Sequence, residues 1–180
     1  PATAASSVAN GVASIANGAF YNAGQGCCAV ERVFVHRDVA EPFTRAFIAA
    51  AEAFHRGMGD PMDPATTLGP LAQAGAPRRI ADQVAAAVQS GAEILYSGDG
   101  VPNTGYFFAP TVVGGAALRG AQGARALTRD ESFGPVVALV VVDDDAEAVE
   151  AMADTSYGLT AGVYTADEAA ALKILRGLDV

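Results

Sequence analysis

At 180 residues, 51% of them hydrophobic and 17% charged, the chain has the length and balance of one globular domain with a sizeable core, and disorder is excluded. A net charge of −9 with no offsetting cluster of Lys and Arg argues against nucleic acid as a partner. No apolar run is long enough for a membrane span, and Pro1–Phe20 lacks the basic and compact apolar regions of a signal peptide.

The chain opens on Pro1 rather than Met, already inside a helix-like pattern, so a fragment boundary is expected there. Val8, Val12, Ile15 and Ala19 fall at helical spacing with Phe20 beside them, and Gly24 is placed to stop that helix. Arg32–His36 reads as a short strand. A second helix is predicted over Ala40–Arg56, with Phe43, Phe47 and Phe54 on one face and Gly57 and Gly59 ending it. Gly59-Asp60-Pro61-Met62-Asp63-Pro64 must be loop, because its two prolines and glycine deny it a regular ladder. A third helix carries Ile80, Val84 and Val88 and stops at Ser90-Gly91.

Glu93–Tyr96 and Tyr106–Val113 are strand candidates, the second weakened by Pro110. Val136–Val142 is a continuous run of β-branched residues with Ala and Leu, the pattern of a strand buried on both faces in a parallel sheet. Asp143, Asp144 and Asp145 supply a helix start, with Val149 and Met152 expected inward. Leu159–Thr165 reads as the next strand, and Asp167 caps a last helix bearing Ile174, Leu175 and Leu178. That closing strand–helix–strand is a βαβ unit, and the whole is expected to be α/β: a mostly parallel open sheet with helices on both faces.

The two cysteines, Cys27 and Cys28, are adjacent and have no partner elsewhere, so no disulfide is expected and a reducing compartment, the cytoplasm, is. They close the segment Asn22-Ala23-Gly24-Gln25-Gly26-Cys27-Cys28. Glycines permit positive φ and close backbone approach, and a cysteine after such a turn can lie near N–H groups that stabilise a thiolate or an oxyanion. On spacing alone, a small apolar residue in a buried turn accounts for the cysteine at least as well. His36 and His55 belong to no motif and lack a third ligand, so no metal is expected. Arg32 reads as an ion-pairing or carbonyl-binding residue near the turn.

The pattern Asn22-Ala23-Gly24-Gln25-x-Cys27-x-Ala29-x-x-Arg32 resembles the cysteine signature of the aldehyde dehydrogenase superfamily. Gly59-Asp60-Pro61 with Leu68-Gly69-Pro70, Gly105-Tyr106-Phe107 with Pro110-Thr111-Val112, Glu131-Ser132-Phe133-Gly134-Pro135-Val136 and Asp154-Thr155-x-Tyr157-Gly158-Leu159 are similar to further blocks of that family, in its order. The family usually has Asn where this chain has Ala153. The resemblance implies that Cys27, rather than Cys28, is the nucleophile. It also implies that Glu131 hydrogen-bonds the nicotinamide ribose of NAD or NADP, and that Phe133 packs near the nicotinamide ring. The expected chemistry oxidises a small-molecule aldehyde to a carboxylate through a hemithioacetal and a thioester on Cys27. Residues 1–180 are then a single thiol-bearing catalytic domain. The dinucleotide-binding domain, the general-base glutamate and an oxyanion-stabilising asparagine are expected outside the chain, so the chain alone should not turn over aldehyde, and the intact parent should be a homo-oligomer. The rival readings are a member that passes its acyl group to CoA instead of water, and a non-catalytic structural or interaction domain on the same fold.

Overall fold

The computed structural model describes residues 4–119 and 124–178. Its centre is a four-stranded sheet in the order β1-β4-β3-β2, where β1 is Arg32–His36, β2 Glu93–Ser97, β3 Thr111–Gly114 and β4 Val136–Val142. β4 runs parallel to β1 on one side and to β3 on the other, while β2 closes the sheet antiparallel to β3. Around it lie α1 (Ala4–Phe20), α2 (Ala40–Arg56), α3 (Ala76–Gln89), α4 (Arg125–Thr128), α5 (Asp145–Ala153) and α6 (Glu168–Leu175).

The run of apolar residues in β4 is explained by its central place. Successive side chains of a strand point to opposite faces, and residues of both parities from Val136 to Val140 are buried, so both faces of the sheet are covered there. Val141 alone on this strand is exposed. α1 and α2 pack together through aromatic rings, with Phe20 lying 5.9 Å from Phe47 and 5.5 Å from Phe54 between centroids. Such tilted pairs contribute about 1 kcal/mol each beyond area burial. The inward stripe of α1 holds Val12, Ile15, Ala16 and Ala19, and the side chain of Val8 lies outside the described residues. On α3 the buried positions are Ile80, Val84 and Ala87; Val88 is turned to solvent, one position off the expected face.

Three further expectations change. Tyr106–Val113 shortens to Thr111–Gly114, because Pro110 has no N–H and the ladder begins just after it, where the Thr111 N–H donates to the Pro135 carbonyl at 2.9 Å. Val149 and Met152 are half-buried only, and α5 has no fully buried residue. Leu159–Thr165 forms no strand among the described residues. It lies against α1 instead of a sheet edge: the Tyr164 hydroxyl meets the Ser14 hydroxyl at 2.8 Å, and its ring sits over Gly11. The expected closing βαβ unit is therefore not completed there, and the parallel connections run from β3 to β4 and from β1 to β4.

The aspartates after β4 act as read. Asp144 is extended, and its carboxylate accepts the Glu147 N–H at 2.9 Å, while the Glu147 carboxylate accepts the Asp143 N–H at 2.6 Å. Asp144→Ala should therefore cost about 1 kcal/mol in urea unfolding. An unchanged midpoint would show that the cap contributes nothing.

The parallel pairing of β1 with β4 has a topological consequence that positions the site. Arg32 is in register with Ala138, and the Ala138 N–H donates to the Glu31 carbonyl at 2.9 Å. The segments that precede the two strands, 27–31 and 131–135, therefore emerge side by side at the same end of the sheet. This is the amino end of the strands, opposite to the carboxyl end where open α/β sheets usually bind ligands.

Candidate active site

α1 ends at Phe20, and the chain reverses through three successive left-handed residues, Asn22 (φ 52), Ala23 (φ 54) and Gly24 (φ 70). Asn tolerates this region and Gly prefers it, but Ala does not, so about 1 kcal/mol or more of strain resides at Ala23. Burial and hydrogen bonds hold it: Ala23 is buried, the Asn22 side-chain amide donates to the Gln25 carbonyl at 3.0 Å, and the Gln25 N–H donates to the Asn22 carbonyl at 3.1 Å. Of the two glycines around Gln25, only Gly24 uses positive φ.

Gln25 anchors the turn to the loop after α2. Its amide nitrogen donates to the carbonyls of Asn22 and Pro70, at 3.1 and 3.3 Å, and its carbonyl oxygen accepts the Ala72 N–H at 2.7 Å. Cys27 and Cys28 then form the two central positions of a tight turn closed by the Ala29 N–H donating to the Gly26 carbonyl at 2.9 Å. Both thiols are free and exposed. In this chain the cysteines are exposed, not enclosed in the turn as the spacing-only reading has it.

The turn is joined to the segment carrying Glu131 and Phe133 at two points. Gly24 sits directly against the Gly134 carbonyl, where even a Cβ would collide. Glu31, four residues after Cys27, sends its carboxylate to the backbone N–H groups of Ser132 (3.1 and 2.9 Å) and Phe133 (2.8 Å). Phe133 itself is left-handed, with φ 48, and its ring is exposed. Glu131 is exposed, Ser132 is buried, and the Glu131 carbonyl receives the side-chain amide of Gln83 at 3.4 Å. The structure thus gathers the three residues singled out in the sequence at one end of the sheet, each presented to solvent.

Burial pushes the Glu31 carboxyl above the ordinary carboxylate range; the two N–H donors and Arg32 oppose this, and the Glu131 carboxylate adds to it. Arg32 faces away from the turn and binds the carbonyls of Thr128, Ala151 and Met152 at 3.2 to 3.4 Å, with burial lowering its pKa. It is a structural carbonyl-binding residue that ties the strand to α4 and α5. Asp154 and Thr155 bind Arg129, a packing role for that block. His36 accepts the Asp38 N–H through Nδ1, and His55 meets the Asp99 carbonyl through Nε2. Among the described residues no three His, Cys, Asp or Glu side chains are grouped to hold a metal, and no helix is long and apolar enough to cross a membrane.

Glu31 is the residue that sequence reasoning missed. It occupies a variable slot of the cysteine signature, at the mouth of a short strand, where a glutamate ordinarily reads as solvated; its partners lie 101 and 102 residues away.

The sequence model described as the aldehyde dehydrogenase family matches residues 4–180. The chain belongs to the aldehyde dehydrogenase family. A succinate semialdehyde dehydrogenase [NAD(P)+] of Escherichia coli is 33% identical over 162 residues, which are 90% of this chain and 34% of that protein. Among solved structures, gamma-glutamyl-gamma-aminobutyraldehyde dehydrogenase from Burkholderia cenocepacia superposes with a TM-score of 0.83 at 32% identity, over 95% of this chain and 33% of that one. Betaine aldehyde dehydrogenase from Staphylococcus aureus, solved in complex with NAD+, gives 0.82 at 27% identity over 93% of this chain and 32% of its own. The aldehyde dehydrogenase segment seen here thus spans about a third of the length of the relatives it matches and has their mostly parallel sheet with helices.

Proposed function

We propose that this chain is the thiol-bearing catalytic domain of an NAD(P)-dependent aldehyde dehydrogenase, with Cys27 as nucleophile and Glu131 and Phe133 as its contribution to the cofactor site. The observation that carries this reading is the exposed Cys27 thiol in a strained turn whose own neighbours, Gly24 and Glu31, grip the segment that presents Glu131 and Phe133. The relatives whose names include NAD(P)+ or NADP(+) and the neighbour solved with NAD+ support the choice of cofactor.

The residues fit the nicotinamide-ribose half of such a group. Glu131 offers a solvent-facing carboxylate, a hydrogen-bond acceptor for ribose hydroxyls, and Phe133, two positions on, offers an exposed ring as a packing surface. When bound, the dinucleotide supplies the hydride acceptor. The chain supplies the rest of the geometry. Cys27, exposed in its turn, attacks the aldehyde carbon as its thiolate to give a hemithioacetal. The oxyanion formed there faces the backbone N–H of Cys27, a donor that costs no reorganisation. With the hydride of the former aldehyde carbon given up to that acceptor, the acyl group would remain on the Cys27 sulfur as a thioester until water releases it as carboxylate. His36 lies at the opposite end of β1 from the Cys27 turn and His55 meets the Asp99 carbonyl, which speaks against a Cys–His hydrolase.

The test is an assay of the complete polypeptide with an aldehyde panel and NAD+ or NADP+. Aldehyde-dependent formation of reduced cofactor and of free carboxylate without CoA is the expected result, and this chain by itself should give none. An absolute requirement for CoA, with acyl-CoA as product, would establish the acylating rival. Absence of any aldehyde-dependent reduction would favour the non-catalytic one.

A further inference from the structure

We infer that Glu31 is a positioning residue for the cofactor. Its carboxylate sets the Glu131–Phe133 segment relative to the Cys27 turn, and so governs cofactor affinity without touching the cofactor. The inference rests on the proposed cofactor role of Glu131 and Phe133.

Three features separate this carboxylate from an ordinary structural one. First, it is half-buried and its sequence neighbour Arg32 is spent on carbonyls of Thr128, Ala151 and Met152, so among the described residues its hydrogen-bond partners are backbone N–H groups alone. Burying a charge this way is expensive unless the bonds do something a neutral residue would not. Second, the register of β1 against β4 is already set by ladder bonds, including the Ala138 N–H to the Glu31 carbonyl, so the carboxylate is not needed to align the strands. Third, its two donors are consecutive N–H groups, and the second belongs to a phenylalanine at φ 48. A bulky residue in that region persists only where its surroundings hold it, and successive N–H groups aimed at one anion form a concavity suited to a carboxylate. Glu31 therefore holds the backbone from which the Phe133 ring projects, from a point four residues after Cys27.

A titration signature follows. Burial raises the Glu31 carboxyl above the usual range, the facing Glu131 carboxylate pushes the same way, and Arg32 with the Ser132 and Phe133 N–H groups pulls down. On protonation the group keeps one good acceptor instead of two and loses its charge, so the grip on the two donors weakens as pH falls through this raised value. Glu31→Gln copies the neutral form at every pH with little change of shape.

In the complete polypeptide, Glu31→Gln is expected to raise the KM for NAD(P)+ about tenfold with the aldehyde KM and kcat within about threefold. The wild-type cofactor KM should rise on the acid side toward the variant's value, so that the ratio of variant to wild-type KM falls toward one there. Glu131→Gln serves as the reference for the cofactor site and should also raise the KM for NAD(P)+. If Glu131→Gln weakens the cofactor but Glu31→Gln shifts only the melting temperature, with the wild-type acid limb retained, the positioning role is overturned while the cofactor site stands. If neither variant moves the cofactor KM, both readings fall. The wild-type pH profile needs no variant to fold, and a cofactor KM flat toward acid overturns the inference by itself.

Discussion

Cys27→Ser in the complete polypeptide is expected to lower aldehyde oxidation by about 10³-fold or more, while Cys28→Ser stays within about threefold of wild type. The two thiols share one turn, both exposed, one residue apart. That makes the pair a controlled comparison, because the same substitution probes the same solvent environment at consecutive positions. A serine hydroxyl is far less acidic than a thiol, and among the described residues the histidine hydrogen bonds go to Asp38 and Asp99 rather than to this turn, so the replacement removes the nucleophile rather than weakening it. Since Cys27 is exposed and makes no side-chain hydrogen bond among the described residues, the melting temperature should be unchanged, and lost activity will not be lost fold. The checks are steady-state rates and mass-spectrometric mapping of an acyl adduct trapped on the enzyme. An active Cys27→Ser protein, or an adduct on Cys28, would remove Cys27 from the mechanism.

Much of this architecture was legible because local pattern and tertiary environment agree. β1 and α2 begin and end where the sequence reading placed them: β1 is a short β-branched and aromatic run bounded by Arg32 and His36, and α2 a seventeen-residue amphipathic stripe. β4 was readable as central from its unbroken β-branched run, and the structure gives it a parallel partner on each side. Leu159–Thr165 was misread for the converse reason. Its composition suits a strand, but a strand exists only where an edge receives it, and Tyr164 takes the segment to α1. At the site, the cysteine, the carboxylate and the aromatic ring could be named from short motifs. What joins them could not, because the contacts of Glu31 and Gly24 span more than a hundred residues and rest on backbone groups that have no signature in the sequence.

The strongest mechanical consequence concerns the two glycines that flank Gln25, which look equivalent in sequence and are not. Gly24→Ala is expected to destabilise the protein by about 3 kcal/mol, and Gly26→Ala by less than about 1 kcal/mol. At Gly24 the backbone is left-handed at φ 70, and an added Cβ would run into the Gly134 carbonyl and stand 3.1 Å from the Ala19 carbonyl. Both obstacles are main chain, so no rotamer change relieves them, and α1 must part from the segment before β4. At Gly26 the φ is ordinary, and the nearest atoms to an added Cβ are the Ala29 nitrogen at 3.9 Å and the Ala29 Cβ at 4.0 Å, normal contact. Urea unfolding of the two variants, with m-values compared, checks the difference. Gly24→Ala should also reduce turnover in whatever fraction stays folded, because the contact it breaks lies between the thiol turn and the segment bearing Glu131 and Phe133. Equal stability of the two variants would mean that the turn and that segment are not in contact, and the shared site would lose its geometric basis.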